Sequence, residues 1–239
     1  MVGSRNSAVD AELDRIWREA VAARSPLPTE LQLARELGVS RPLIRESLIR
    51  LEAQGLVSRR AHQGTFPNVA AERVPFRIDQ SYELTGQLAE AGYEVQVRVI
   101  SARWSTVIEQ EAVDLEVEPG SPCHRVMKVW RADGRPLILA EDVVPARRRD
   151  DVAFEPDYSV FETVDALRGT PVEWESALIG AVLPDERVQK HLDVGATEPL
   201  LKITVVGISL HGDRLYRGHE THRTDGPAYG MVRRSVDRL

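Results

Sequence analysis

The sequence holds a single cysteine, Cys123, and no apolar run long enough to cross a bilayer. One thiol excludes an internal disulfide framework and a cysteine-rich zinc site, and it fits a reducing cytosol. The most apolar late stretch, Leu200 to Leu210, is interrupted by Lys202 and falls far short of the roughly 20 residues that a spanning helix needs. The first residues show no basic start followed by an apolar core and a small-residue cleavage site, so no secretory signal is expected. These absences predict a cytoplasmic protein with no membrane partner.

Positive charge is also scarce overall, with a net charge of −6, which by itself argues against nucleic acid. The distribution reverses that reading. Residues 1–67 carry ten arginines against eight carboxylates, so they stand at +2 and the remainder at −8. Arg41, Arg45, Arg50, Arg59 and Arg60 face only Glu46 and Glu52 between positions 40 and 67. A small basic module joined to an acidic one suits a DNA binder with a second, non-DNA-binding domain. At 239 residues the chain has room for both.

In the basic part, Leu13, Ile16, Trp17, Ala20 and Val21 recur at helical spacing, which predicts a helix over Ala8 to Arg24, ended by Pro26 and Pro28. Thr29 is placed to cap a second helix with Leu33, Ala34 and Leu37 inward. After a turn at Gly38, Ser40 caps a third helix through Gln54, with Pro42 in its first turn, where a missing N–H costs little. Ile44, Leu48 and Leu51 form its buried stripe and leave Arg41 and Arg45 outside. Gly55 closes it, and two strand-like pieces follow, Leu56–Arg60 and Gly64–Pro67. Three helices and a small hairpin make a winged helix-turn-helix.

The run from Leu27 to Phe66 resembles the GntR family of bacterial regulators nearly continuously. The matching pieces are Leu27-Pro28-Thr29-Glu30, Leu37-Gly38-Val39-Ser40-Arg41, Arg45, Leu51-Glu52, Gly55-Leu56-Val57 and Gly64-Thr65-Phe66. The resemblance implies that the third helix enters the major groove and reads operator DNA. Arg41 and Arg45 are then placed for guanine edges or phosphate, and Ser40 and Pro42 sit at the helix start, with Ser40 able to meet phosphate. Gln63, Gly64 and Thr65 form the wing tip, where a residue without a side chain approaches closely. Arg59 and Arg60 read equally well as phosphate contacts or as a solvated strand end. Two departures bear on operator preference: Leu31 stands where the family often has arginine, and His62 where its wing tends to have glycine.

Val69 to Arg77 shows no period and reads as a linker, giving a DNA-binding domain at 8–67, a linker at 68–79 and a second domain at 80–239. Ser81 to Gly92 reads as a short helix. Beyond it Val95, Val97 and Val99 alternate, as do the residues before the Asp133-Gly134 turn, and Leu200 to Leu210 is strand-like again. A repeat appears at an offset of 77 residues: Leu115, Val117, Pro122 and Val126 fall on Leu192, Val194, Pro199 and Ile203. Each copy reads strand, helix, turn, strand, turn, strand. The expected fold is α+β, with two related halves around a twisted antiparallel sheet.

This region also resembles the effector domain of the HutC subfamily, called UTRA, which has a chorismate-lyase-like fold. The anchors are Leu115 to Pro122, Ala132-Asp133-Gly134, Pro136, Pro145 and Arg223-Thr224-Asp225. The resemblance implies an effector site at Ser81, Lys128, Trp130, Ala140, Glu141, Ser159, Tyr216, Glu220 and His222. Relatives that sense phosphorylated amino sugars place two basic residues where Lys128 and Trp130 stand. An indole cannot replace a forked donor, so the implied effector is less charged and partly apolar, a carboxylate or carbonyl compound met by Lys128, and not a sugar phosphate. The plainer alternative keeps Trp130 in the core with Lys128 pointing outward. His219, Glu220 and His222 alternate across a strand, so two ligands at most share a face, and neither metal nor cofactor is expected.

The leading reading is a homodimeric, ligand-responsive repressor on an inverted-repeat operator. Two rivals remain: a DNA-binding dimer whose second domain only oligomerises, and a lyase-fold enzyme with a DNA-binding appendage. No motif for catalysis supports the last, and a shared fold does not carry activity.

Overall fold

The computed structural model describes residues 3–60, 63–74, 76–79, 83–148 and 159–233. The chain forms two compact units, one running to Asp79 and including the residues from Ala228 onward, the other running from Gln80 to Pro227.

The first unit holds α1 (Gly3–Ala23), α2 (Glu30–Glu36), α3 (Arg41–Ala53), β1 (Val57–Arg60) and β2 (Gly64–Pro67). Thr29 caps α2 through a capping box with Gln32, and Ser40 caps α3. Both caps satisfy amides that the first helical turn leaves without partners. Leu13, Leu33, Ile44 and Leu48 are sealed in one core. Trp17 adds a directional bond, its indole N–H donating to the Leu56 carbonyl at 2.7 Å, which pins α1 to the start of the wing. The wing is antiparallel, with Val57 opposite Pro67 and Arg60 opposite Gly64.

The expected linker is partly structured. One turn of 3-10 helix (Ala71–Arg73) leads into β3 (Phe76–Arg77). β10 (Tyr229–Gly230) pairs with β3 in parallel, and Phe76 meets Tyr229 edge to face at 4.8 Å. Val232 then packs onto the winged-helix core. Tyr229, Gly230 and Val232 therefore strap the DNA-binding unit, whereas the sequence predicts a second domain that runs to 239. Only the three-dimensional pairing reveals this, because a two-residue strand has no period.

The second unit begins with α4 (Leu84–Glu90), capped by Glu83 rather than running from Ser81. Ser81 itself lies outside the described residues. The unit continues with β4 (Val95–Thr106), α5 (Glu109–Leu115), β5 (Pro122–Ala132), β6 (Arg135–Pro145), α6 (Val160–Arg168), β7 (Trp174–Val182), α7 (Glu186–Leu192), β8 (Leu200–Ile208) and β9 (Arg214–Arg223). The sheet order is β4-β5-β6-β9-β8-β7, antiparallel throughout. The repeat is real in structure: α5 and α7 start and end 77 residues apart. Their C-caps, Glu116 and Asp193, both take the left-handed conformation. The two halves join where β6 pairs with β9, so the sheet order is a near palindrome.

α5 and α7 cover one face. Val107, Ala112, Leu115, Cys123 and Val143 pack under α5, and Val129, Leu139, Val188, Leu192 and Leu200 under α7. Arg125 forks onto both Glu111 oxygens at 2.7 and 2.8 Å and reaches Glu141 at 3.3 Å, which in turn meets Arg187. This chain of ion pairs ties α5, β5, β6 and α7 together. α4 and α6 lie on the other face, where Trp130 bonds Thr85 and Phe161 meets Tyr216.

Gly55, with φ of +72°, ends α3 in a conformation that costs side-chain-bearing residues about 1–2 kcal/mol. A Cβ there would stand 2.9 Å from Val232 Cγ1. Gly55→Ala is therefore expected to lower stability by at least that amount in urea unfolding of the full chain. Adding Val232→Ala should recover only the steric part. A neutral Gly55→Ala would show that the strap does not lie against this turn.

Candidate DNA interface and effector face

On the first unit, Arg41 and Arg45 both project from the exposed side of α3, one turn apart. The Ser40 hydroxyl accepts from the Leu43 amide at 3.4 Å, which leaves its own hydrogen to donate. Pro42 occupies the first turn, as expected. In the wing, Gln63 and Gly64 are exposed, and Gly64 has φ of +106°, a conformation that favours glycine. Thr65 contributes its carbonyl to the Leu27 amide at 2.8 Å, a bond that fixes the wing against the α1–α2 connection. His62 lies outside the described residues.

The two wing arginines are unlike. Arg60 is exposed, with its guanidinium 5.1 Å above the Phe66 ring. Arg59 is held: its side chain donates to Glu30 Oε1 at 3.0 Å and its amide to Glu52 Oε1 at 3.2 Å. Glu30 also stands 3.8 Å from Arg41. Glu30, which the sequence marks only as the end of the Leu27–Glu30 family match, partly neutralises two arginines of the candidate DNA face.

On the second unit, the register shows which residues share a face, because directly opposed residues in a sheet point the same way. Lys128 is opposite Ala140, which is opposite Glu220. Trp130 is opposite Ile138, which is opposite His222. Tyr216 lies on the same face of β9, four residues before Glu220. Six of the nine expected effector residues thus lie together, beneath α4 and α6. Ser159 is at the start of α6, where its hydroxyl accepts from the Glu162 amide and acts as a cap.

Glu141 is a correction. It lies opposite Met127 and His219, on the far face, where Arg125 and Arg187 hold it. Strand alternation requires this once Ala140 points toward Lys128. The residue that does share the face is Asp142, opposite Gly218, and the sequence reading passed over it. Glu175 of β7 also faces this side and accepts the Tyr216 hydroxyl.

The face is buried and ionisable. Lys128 is 3% exposed, Tyr216 3% and His222 0%. His222 Nε2 lies 2.8 Å from Glu220 Oε2, so the two neighbours on β9 satisfy each other rather than a metal. Among the described residues no group of three or more His, Cys, Asp or Glu side chains is placed to hold a metal ion. Loss of water and then the Glu220 charge push the Asp142 carboxyl up to about 7, against the opposing pull of Lys128. Burial first, and Glu175 after it, raise the Tyr216 phenol well above its ordinary value, so it stays neutral. Trp130 is 6% exposed and spends its N–H on Thr85 at 3.0 Å. It forms a wall under α4 and offers no free donor.

Glu30→Gln should free Arg59 and Arg41 for phosphate. DNA affinity is expected to rise for all sequences alike, and the salt dependence to steepen by up to about one unit, as one added phosphate contact would produce. Fluorescence anisotropy on specific and random duplexes across a salt series checks this. A gain confined to one sequence would mean that Glu30 acts on base reading instead.

The chain was compared with known families and structures. Residues 6–66 match the family described as bacterial regulatory proteins, gntR family, and residues 90–226 match the UTRA domain. The chain is 25% identical over 219 residues to the HTH-type transcriptional regulator GmuR of Bacillus subtilis, covering 89% of this chain and 90% of that one. It is 25% identical over 232 residues to the HTH-type transcriptional repressor PhnF of Mycolicibacterium smegmatis, covering 95% and 92%. Among solved structures, the possible transcriptional regulator YydK of Bacillus subtilis superposes with a TM-score of 0.73 at 15% identity, covering 96% and 99%. No helix among the described residues is long and apolar enough to cross a membrane. A winged helix with exposed arginines on α3, followed by a six-stranded UTRA sheet, thus has its counterpart in named regulators along nearly its whole length: the chain belongs to the GntR family of bacterial regulatory proteins and is a transcription regulator, not an enzyme.

Proposed function

We propose that the protein is a cytoplasmic repressor that holds an inverted-repeat operator as a homodimer and is released when a small molecule binds the Lys128–Tyr216–His222 face. The observation that carries the sensing part is the buried ionisable group on that face. A sheet face that served only for packing would be apolar, because burying charges is costly unless a partner or ligand offsets them. On the opposite face, under α5 and α7, Arg125 is matched by Glu111 and Glu141 and Arg217 by Asp114, and the contrast favours a ligand on the first.

Dimerisation is supported by β7. Trp174, Leu178 and Ile179 on this edge strand, and Leu183 just after it, are exposed, and an apolar edge left uncovered is an aggregation hazard. A second copy would cover it, and a two-fold dimer matches a two-fold operator. The effector is not a sugar phosphate: one buried lysine, with a walled-in indole beside it, gives no forked anion clamp.

Roles on the DNA face are assigned to Ser40, Arg41, Pro42, Arg45, Gln63, Gly64 and Thr65, with Arg60 on phosphate and Arg59 positioned by Glu30. Arg45→Ala is expected to cost about 1–3 kcal/mol of discrimination between operator and mutated operator. Arg60→Ala should weaken all sequences alike and lower the salt slope by about one. Relaxed specificity in Arg60→Ala, with Arg45→Ala unaffected, would reverse the assignment. Sedimentation of the complex should show two chains per operator, and a full-affinity complex with one chain would overturn the dimer.

A further inference from the structure

We propose that the effector carries a cationic group, an ammonium or amidinium, seated beside Asp142 and Glu220 over Gly218. This rests on the reading that the Lys128–His222 face is the sensing site, and it names the ligand chemistry that the face accepts.

The charges that converge on this face are unequal. β5 supplies Lys128, whose ammonium acts on Asp142. β6 supplies Asp142, β9 supplies Glu220, and β7 supplies Glu175. β8 opposes these residues only with Val205, Ile203 and Gly207. His222 is engaged by Glu220 and the Tyr216 hydroxyl by Glu175. From above, α4 presents Thr85 to Trp130, and α6 presents Phe161 to Tyr216. Glu162 of α6 is spent on its own cap, and Arg168 on the Pro145 carbonyl. Glu141 adds negative field from the far face. Among these described residues, the carboxylates Asp142, Glu220 and Glu175 stand with Lys128, while His222 is held by Glu220 and His124 lies near Lys128. A dianionic phosphate entering here would meet like charge, and a cation would be attracted.

The position is closely bounded by a carboxylate and an aromatic ring. Gly218 is opposite Asp142 and lacks a side chain. A Cβ built there would lie 3.2 Å from Asp142 Oδ1, 3.3 Å from the edge of the Tyr216 ring and 3.8 Å from Val205. The recess that a methyl would fill is thus bounded by a carboxylate oxygen and an aromatic ring, both suited to a cation.

Without ligand the face limits its own charge by keeping a proton on Asp142 up to about neutral pH. Binding of a cation removes it: the Asp142 carboxylic acid becomes a carboxylate paired with the ligand's cation, and one proton passes to solvent. Affinity then rises with pH through the titration of Asp142. The stability of the unliganded fold is expected to show the opposite slope. Its raised carboxyl binds a proton that the unfolded chain has already lost, so stability falls as pH climbs from the ordinary Asp range toward about 7.

The test uses the full chain with putrescine, agmatine and glucosamine as cationic probes, and inorganic phosphate and glucosamine 6-phosphate as anionic ones. Thermal shift and titration calorimetry are run one pH unit either side of about 7. At least one amine is expected to stabilise the protein and to bind about tenfold more tightly at the higher pH. Asp142→Asn should remove the pH dependence, and Gly218→Ala, which fills the recess, should abolish binding while far-UV circular dichroism stays unchanged. Stabilisation by the anionic probes alone, lost in Lys128→Met, would overturn the cationic assignment and leave the sensing face standing. No stabilisation by any amine would overturn it as well. Amine binding that survives Asp142→Asn, Gly218→Ala and Lys128→Met together would place the ligand elsewhere, and both readings would fall.

Discussion

The antiparallel pairing of β6 with β9 is the seam on which the second unit depends. It joins two copies of one strand–helix–strand–strand plan, running from Ile138 opposite His222 to Val143 opposite Arg217. A slip of one residue would turn every side chain of one half to the wrong face. Val143 would leave the core under α5, and His222 and Glu220 would leave the face of Lys128. Both the packing and the candidate sensing face are therefore properties of one register. The palindromic strand order follows, since each half adds its remaining strands outward from the seam.

The seam also explains how one thin sheet carries two kinds of interior. On the α5–α7 side, charges come in closed pairs: Arg125 is enclosed by Glu111 and Glu141, and although burial pushes the Glu111 carboxyl up, hydrogen bonds from Arg125 and the Ile108 amide hold it below its ordinary range. These ions staple helices to strands and leave nothing over. On the α4–α6 side, the ions share neighbours of the same sign. The first arrangement gives rigidity, and the second stores an electrostatic imbalance that a ligand can relieve.

Much of this was legible in the sequence, for identifiable reasons. Capped helices with a period declare themselves, and Thr29, Ser40 and Gly55 marked three ends of the winged helix. The 77-residue repeat was readable because α5 and α7 share length and cap. The hairpin turn at Asp133-Gly134 was legible, but a bulge between Trp130 and Arg131 shifts the register by one, so counting from the turn would set Lys128 opposite Leu139 rather than Ala140. Glu141 adjoins Ala140 in sequence, whereas alternation makes Asp142, two residues from Ala140, the neighbour that shares its face. Glu30 and Thr85 were invisible for another reason: their partners are Arg59 and Trp130, each reached only through tertiary packing. The strap of β3 and β10 left no trace either, being two residues long on each side.

That strap bears on how the molecule is made. Phe76 and the turn at Gly55 are synthesised early, but Tyr229 and Val232, which pack on them, follow the whole effector domain. Domains of a growing chain generally fold as they emerge, the first before the second. Here the first can reach its finished form only after the second has been translated. A nascent or prematurely terminated chain has its operator-reading helix but not the packing behind that helix's end. The DNA-binding unit therefore gains its last packing, Tyr229 on Phe76 and Val232 on its core, only after every residue of the intervening domain has been joined.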